Sequence, residues 1–458
     1  MIILKSKYEI QPDETFENDI LGRGSLGHSL INLISKCEDP LVFALNSGWG
    51  EGKTTFVLKW RNLLKQKGFE STYFNAFDND LVDDAFIGVS SQIITTVEEL
   101  SNKIPSGAFN PDKLKIATAK IGGQLLSWSV KLGIKAATLG LINSSDIEEI
   151  KELKNDITKG TTTLFTRFAE DRINSHKASI NAVADYKAIL ADLGESVKKT
   201  TGKPFVFIVD ELDRCKPTFA IELIENIKHL FAVPNITFLL VMNKQQLEES
   251  IKSVYGSGID SNTYLQKFID IEFSLPKGSN DNDSEFYRRF TLHVFEKHNI
   301  NVGNGNEKDF LLKLITRISL HYKLSLRDIE KLFTYIAVYY GSISNPRHAF
   351  PPLVSFIALL KIKYPILFSG LMNKSITFSQ IMQDAHLPIN FEGDDHLQYI
   401  VKWLRISMLS DTEFKALGNE SVEHKSLSQL YDFDLHRDEI IPYLGNYLNL
   451  FQIPIFSE

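Results

Sequence analysis

Only two cysteines, Cys37 and Cys215, occur in 458 residues; they lie far apart and have no metal-ligand spacing. That excludes a disulfide framework or a thiolate zinc cluster, and two structural thiols in a reducing compartment are the expectation. The apolar start Met1-Ile-Ile-Leu is too short for a signal peptide, so a cytoplasmic location is expected. No transmembrane helix is predicted, because no uncharged run approaches the roughly 18 residues of a span. Basic charge is not in excess: 50 Lys and Arg stand against 57 Asp and Glu, a formal net charge of −7. That balance argues against a broad nucleic-acid surface, and no basic track interleaved with stacking aromatics is visible, leaving nucleic acid an unsupported partner. His386, His396, His424 and His436 are scattered without catalytic spacing. Internal repeats and low-complexity tracts are missing as well. What remains, 43% hydrophobic and 23% charged residues, describes an ordinary globular chain of about three domains.

Against that plain background one segment stands out. The apolar run Leu41-Val-Phe-Ala-Leu45 is followed closely by Gly48-Trp-Gly-Glu-Gly-Lys-Thr-Thr-Phe56. A strand, a glycine-rich turn and a helix opening at Lys-Thr make a cradle for nucleotide phosphates. Glycines keep side chains out of the way, so successive backbone N–H groups can turn inward onto phosphate oxygens. The cofactor-binding residues expected are Gly48, Trp49, Gly50, Glu51, Gly52, Lys53, Thr54 and Thr55. Lys53 would reach the β- and γ-phosphates and the Thr54 hydroxyl would hold Mg²⁺.

A phosphate cradle needs a carboxylate to complete its metal site. The segment Phe205-Val-Phe-Ile-Val-Asp210-Glu-Leu-Asp-Arg214 offers one at the end of five apolar, β-rich residues. Such a run reads as a buried parallel strand, with Asp210 at its carboxyl end, where open α/β sheets bind ligands. Asp210 is thus the second metal-site residue beside Thr54. Glu211 is the first candidate to orient or deprotonate the attacking water, and Asp213 could do the same. Arg214 either pairs structurally with Asp213, the favoured reading, or stabilises charge on the γ-phosphate. Lys216-Pro217 opens a helix whose Ala220, Ile224, Ile227 and Phe231 face the sheet. A further strand, Ile236–Met242, ends at Asn243, which either senses the γ-phosphate and its attacking water or caps the next helix.

Five segments taken in order resemble the KAP family of P-loop NTPases: Asp19-Ile-Leu-Gly-Arg23, the glycine-rich loop, Tyr73-Phe-Asn-Ala-Phe77, Ile208 to Pro217, and Tyr264-Leu-Gln-Lys-Phe-Ile269 before Leu275-Pro276. The tryptophan within the loop and the Asp-Arg-Cys-Lys-Pro run are the specific elements. Ser47, Phe77 and Asn243 depart from the family pattern, and Asn243 in place of aspartate weakens a charge-based sensing role. The resemblance implies an α/β fold with a parallel sheet and a signal-transducing, STAND-like ATPase that switches a conformational or oligomeric state. It also implies a setting in bacterial phage defence, a homo-oligomer, and an effector or sensor partner protein. ATP rather than GTP follows from it too. Asn243-Lys-Gln-Gln246 begins like a guanine-reading motif but has Gln246 where aspartate is required.

Lys53 and Asp210 lie 157 positions apart, more than one crossover requires, so a large helical insertion is expected between them. Residues 146–153 read as a charge-laced helix. Within 113–142, Lys113, Lys120, Gln124, Ser127, Lys131, Lys135 and Thr138 share one face beside an apolar one. Packing against its own domain or a sister subunit is favoured there over a membrane-surface helix. Many KAP relatives carry spanning helices in this interval. After a polar loop near 277–284, helices follow, and Leu324 to Phe333 resembles the lid helix of related ATPases. Arg327 on it either touches the nucleotide or pairs with Glu330. The expected domains are a P-loop core at 1–95 and 200–280, a helical insertion at 96–199, a lid-like domain at 281–345, and a helical region at 346–458 that binds a partner. A non-hydrolysing nucleotide-binding scaffold is the alternative function.

Overall fold

The computed structural model describes residues 10–37, 39–81, 84–100, 109–122, 161–277, 283–302, 305–343, 349–388, 395–419, 421–428 and 436–450, with 161–177 and 427–428 by backbone alone. The segment 146–153 and most of 113–142 lie outside this set. Two compact units emerge: one of Ser25–Ser47 and Val57–Ser274, the other of Met1–Gly24, Gly48–Phe56 and Leu275–Glu458.

The first unit is built on five parallel strands: β1 (Leu41–Asn46), β2 (Ser71–Asn75), β3 (Phe205–Asp210), β4 (Ile236–Met242) and β5 (Ile271–Ser274). Their spatial order is β2-β3-β4-β1-β5, every pair being parallel. Position in the sheet explains composition. The two central strands β3 and β4 are buried at every residue and read as continuous apolar runs, as parallel strands covered on both faces must. Edge strand β2 alternates half-buried and buried residues, and edge strand β5 is mostly exposed.

Around the sheet run α1 (Gly24–Ile34), α2 (Lys53–Gln66), α3 (Ala85–Leu100), the long α4 (Thr161–Thr201), α5 (Pro217–Asn226) and α6 (Lys244–Tyr255). Helix α5 begins with proline at its first turn and passes into a π-turn over Ile227–Phe231. Ala220, Ile224, Ile227 and Phe231 are all buried, as the helical spacing predicts. Phe86, Tyr186, Phe231, Phe207 and Phe238 form a chain of ring contacts through the core. Between the two sequence motifs run α3, the helical residues 111–122 and α4. Leu114, Ala117 and Ile121 of 111–122 enter that same core, while Lys120 pairs with Asp185. Among the described residues no helix is long and apolar enough to cross a membrane.

The second unit is helical beyond its N-terminal pieces: α7 (Asp283–His298), α8 (Gly305–His321), α9 (Leu326–Ser342), α10 (Pro351–Lys363), α11 (Leu397–Met408) and α12 (Ile440–Leu450), with shorter helices between. Its core collects Phe286, Phe290, Val294 and Phe295 of α7, four residues at helical spacing. Helix α10 is buried from Pro352 to Leu360, so it carries apolar residues all round, as a central helix does. Helix α9 starts on a capping box: the Ser325 hydroxyl accepts from Asp328 N, and Asp328 accepts from Ser325 N.

Candidate functional site

The loop after β1 bends where its glycines permit. Gly50 and Gly52 have φ of +75° and +78°, values that a β-carbon disfavours by about 1–2 kcal/mol. Space is short for a side chain as well, most of all at Gly50. A β-carbon on Gly50 would meet Arg327 Cβ at 2.8 Å and Ser325 Oγ at 2.9 Å, and one on Gly52 would meet Arg23 Nη1 at 3.1 Å. The Gly50 carbonyl accepts from Arg327 N at 3.2 Å. Arg327 therefore stands at the loop itself, carried by the first turn of α9. Glu330, the other partner considered for it, is held above the usual carboxylate range by burial, with Lys297 and Arg327 opposing.

Helix α2 begins at Lys53, whose ammonium donates to the Gly48 carbonyl at 3.2 Å. Glu51 is buried and accepts from Lys277 Nζ at 3.0 Å. Its backbone carbonyl accepts from Arg23 Nη1 at 2.8 Å. Arg23 is 3% exposed, yet its Nε and Nη2 have no hydrogen-bond acceptor among the described residues. Burial lowers its pKa to about 10, against the pull of Glu51 and Asp19. The Phe286 ring lies 6.0 Å from the guanidinium. Asp19 fixes the segment by accepting from Leu21 N and Gly24 N. A buried cation with unspent donors beside a glycine-built loop is costly alone and suits an anion with many acceptors.

In the sheet unit, Asp210 ends β3 and is 1% exposed. Its Oδ2 accepts from the Tyr73 hydroxyl at 2.9 Å and its Oδ1 from Glu211 N at 2.8 Å. Burial, and next the Asp210 charge, push the Tyr73 phenol far above its ordinary value. Glu211 adopts a left-handed backbone at φ 61°, unusual for a residue other than glycine and a mark of local strain. The following short 3₁₀ turn, Leu212–Arg214, brings positions three apart into register. The Arg214 guanidinium accordingly meets Glu211, Nη1 to Oε1 at 3.1 Å, where the sequence reading favours Asp213. Asp213 is buried one turn on, and Lys216 N closes the segment on Asp80 Oδ2 at 2.9 Å.

Parallel pairing lays the carboxyl ends of β3, β4 and β1 side by side, about 4.8 Å per step, with Asn46 opposite Met242. Asn243 occupies the N-cap of α6 but makes no side-chain cap hydrogen bond. The acceptor for Lys244 N is instead Asn46 Oδ1, at 3.1 Å. Asn46 Nδ2 donates to Glu272 Oε1 and Lys244 Nζ to Glu272 Oε2, both at 2.8 Å.

Tyr73, Asn46, Arg23 and Lys277 are the residues that motif reasoning does not single out. Arg23 and Tyr73 lie within the segments that carry the family resemblance, which is the signal that could have found them. Among the described residues no three His, Cys, Asp or Glu side chains converge on a cage. A Mg²⁺ held by one hydroxyl, one carboxylate and the phosphates themselves needs no such cage.

A parallel sheet with a glycine-built loop and helix after β1, and a buried aspartate ending β3, are the features of a P-loop NTPase domain. Residues 25–347 match the KAP family P-loop domain, and the chain belongs to that family. Nucleotide binding goes with that domain. Among solved structures, the chain is similar to the ORC2 protein of Aeropyrum pernix in its ADP form, at 12% identity, 97% of each chain and a TM-score of 0.35. It is also similar to that protein's ADPNP–ADP complexes, at 12% identity, 94% of each chain and a TM-score of 0.35. No curated protein matches the chain significantly.

Proposed function

We propose that this KAP-family chain binds ATP with Mg²⁺ and hydrolyses it as a conformational or oligomeric switch, in the cytoplasm and in the setting of phage defence. The observation that carries the reading is the loop: two left-handed glycines beside a buried guanidinium with two unspent donor atoms. Mg²⁺, when bound, neutralises charge on the β- and γ-phosphate oxygens. Lys53 reaches those phosphates, and Thr54 and Asp210 supply the protein's metal donors. Glu211 or Asp213 orients and deprotonates the attacking water, and Asn243 hydrogen-bonds that water or the γ-phosphate. Arg214 and Arg327 are the cations available to the charge that develops on transfer. The contact of Arg327 N with Gly50 supports a link between nucleotide state and α9. The P-loop core is assigned to 1–95 and 200–280, the insertion to 96–199, the lid to 281–345, and partner binding to 346–458. Self-association and an effector or sensor protein are the partners proposed.

One observation favours a second reading. Arg214 already holds Glu211, and a carboxylate oxygen engaged by a guanidinium has fewer acceptor positions for the attacking water, which suits a scaffold that binds ATP without cleaving it. Phosphate release by the purified protein, with Lys53→Ala and Asp210→Ala as controls, tests the site. Release unchanged in both variants refutes it. A single-turnover assay that leaves bound ATP intact favours the scaffold.

A further inference from the structure

We infer that Asn46 is a positioning residue for Asn243. By taking Lys244 N, it sets the peptide plane after Asn243 and leaves the Asn243 carboxamide for the terminal phosphate of a bound nucleotide or the water that attacks it. The inference deepens the hydrolytic reading and rests on it.

Asparagine at an N-cap ordinarily folds its side-chain oxygen back onto the second or third helical N–H. Asn243 does not: its backbone lies at φ −96° and ψ 104°, and its side chain makes no cap bond. The ψ angle is the direction in which Lys244 N–H points, and that N–H points to Asn46 Oδ1. Asn46 comes from a different strand, 198 positions away in sequence, and sits beside β4 through the Asn46–Met242 register pair.

The Asn46 carboxamide has one workable orientation. Its oxygen faces an N–H donor, and its NH₂ faces the Glu272 carboxylate. Turning it over would set NH₂ against N–H and oxygen against carboxylate, both repulsive. Lys244 Nζ holds the other Glu272 oxygen, so Asn46, Glu272 and Lys244, the last through both its backbone N–H and its ammonium, close a ring joining the end of β1 and Glu272 of β5 to the start of α6. Burial alone would raise the Glu272 carboxyl; the bonds from Lys244 and Asn46 outweigh it and hold the group below the usual carboxylate range. The ring is thus charged and oriented. Asn243 stands next to it with its side chain uncommitted to the helix.

Single-turnover hydrolysis and nucleotide affinity, measured together with melting temperature, test the inference. Asn46→Ala should slow hydrolysis about tenfold with nucleotide Kd within about twofold of wild type. Asn243→Ala should be slowed at least as much, and Asn46→Ala/Asn243→Ala no further, because both remove one positioned group. The exchanged pair Asn46→Asp/Glu272→Gln keeps the bond from Lys244 N as it is and reverses donor and acceptor only between positions 46 and 272, and it should recover the rate lost in Asn46→Ala. A purely structural Asn46 would shift Kd and melting temperature together with the rate, and that result overturns the inference. Additive slowing in the double variant, or an Asn46→Ala protein at the wild-type rate, overturns it too. A wild type without turnover refutes the hydrolytic reading itself, and this inference with it.

Discussion

Replacing Tyr73 by phenylalanine removes one oxygen and keeps the ring, so its consequences can be worked from a single bond. Tyr73 donates to Asp210 Oδ2 at 2.9 Å, and Asp210 is 1% exposed. A hydrogen bond to a charged group contributes about 1.5–3 kcal/mol net, and a buried carboxylate that loses a donor keeps its desolvation cost. Urea denaturation of Tyr73→Phe without nucleotide should therefore show a loss of about 1.5–3 kcal/mol. The second consequence concerns the ion. Groups that orient a ligating carboxylate typically contribute about 10- to 100-fold in metal affinity. Calorimetric titration with ATP in the presence of Mg²⁺ should show weakening of that order, while the same titration in EDTA should match wild type. Equal weakening in both titrations would mean that the loss is general, and the assignment of Asp210 to the metal would fall. Unchanged stability would mean that the bond contributes nothing to the fold.

Arg23→Met exchanges a buried cation for an apolar chain of similar length. A buried charge with two donor atoms lacking acceptors carries a desolvation cost that the apolar chain does not, so melting without nucleotide should hold or rise while nucleotide affinity drops; lower stability with intact affinity would refute the ligand role of the guanidinium. Burial first, then Asp80, Asp213 and Glu211, push the Cys215 thiol far above its ordinary value of 9.0. The unfolded thiol ionises near 9.0 and the native one does not, so stability should fall as pH rises past that value. The alkaline loss should be smaller in Cys215→Ala, and maleimide should label Cys215 only after unfolding. Labelling of the native chain at Cys215 would contradict that environment.

Local chemistry made much of the sheet unit readable. Runs such as Phe205–Val209 and Ile236–Met242 are apolar throughout because both faces of a central parallel strand are covered, and that burial shows in composition. Pro217, with Ala220, Ile224, Ile227 and Phe231 at helical spacing, announced α5 and its buried face. Edge strand β5, only four residues and mostly exposed, carries no such pattern and was not foreseen as a strand. The bend at the loop glycines and the strand-end place of Asp210 were legible because each is imposed by its own stretch of backbone. The pairing of Arg214 was not, since it turned on a left-handed Glu211 at the head of a 3₁₀ turn.

Residue order alone was enough to name the phosphate loop, the acidic strand end and the helical stretch between them, since each depends on neighbours within a few positions. Which polar groups meet at the strand ends was settled by folding. Tyr73 reaches Asp210 across 137 positions and Asn46 reaches Lys244 across 198, and both meetings exist because the strands stack in the order β2-β3-β4-β1-β5. Hydrogen bonds demand partners within about 3 Å, and no periodicity in a chain encodes a distance between segments so remote.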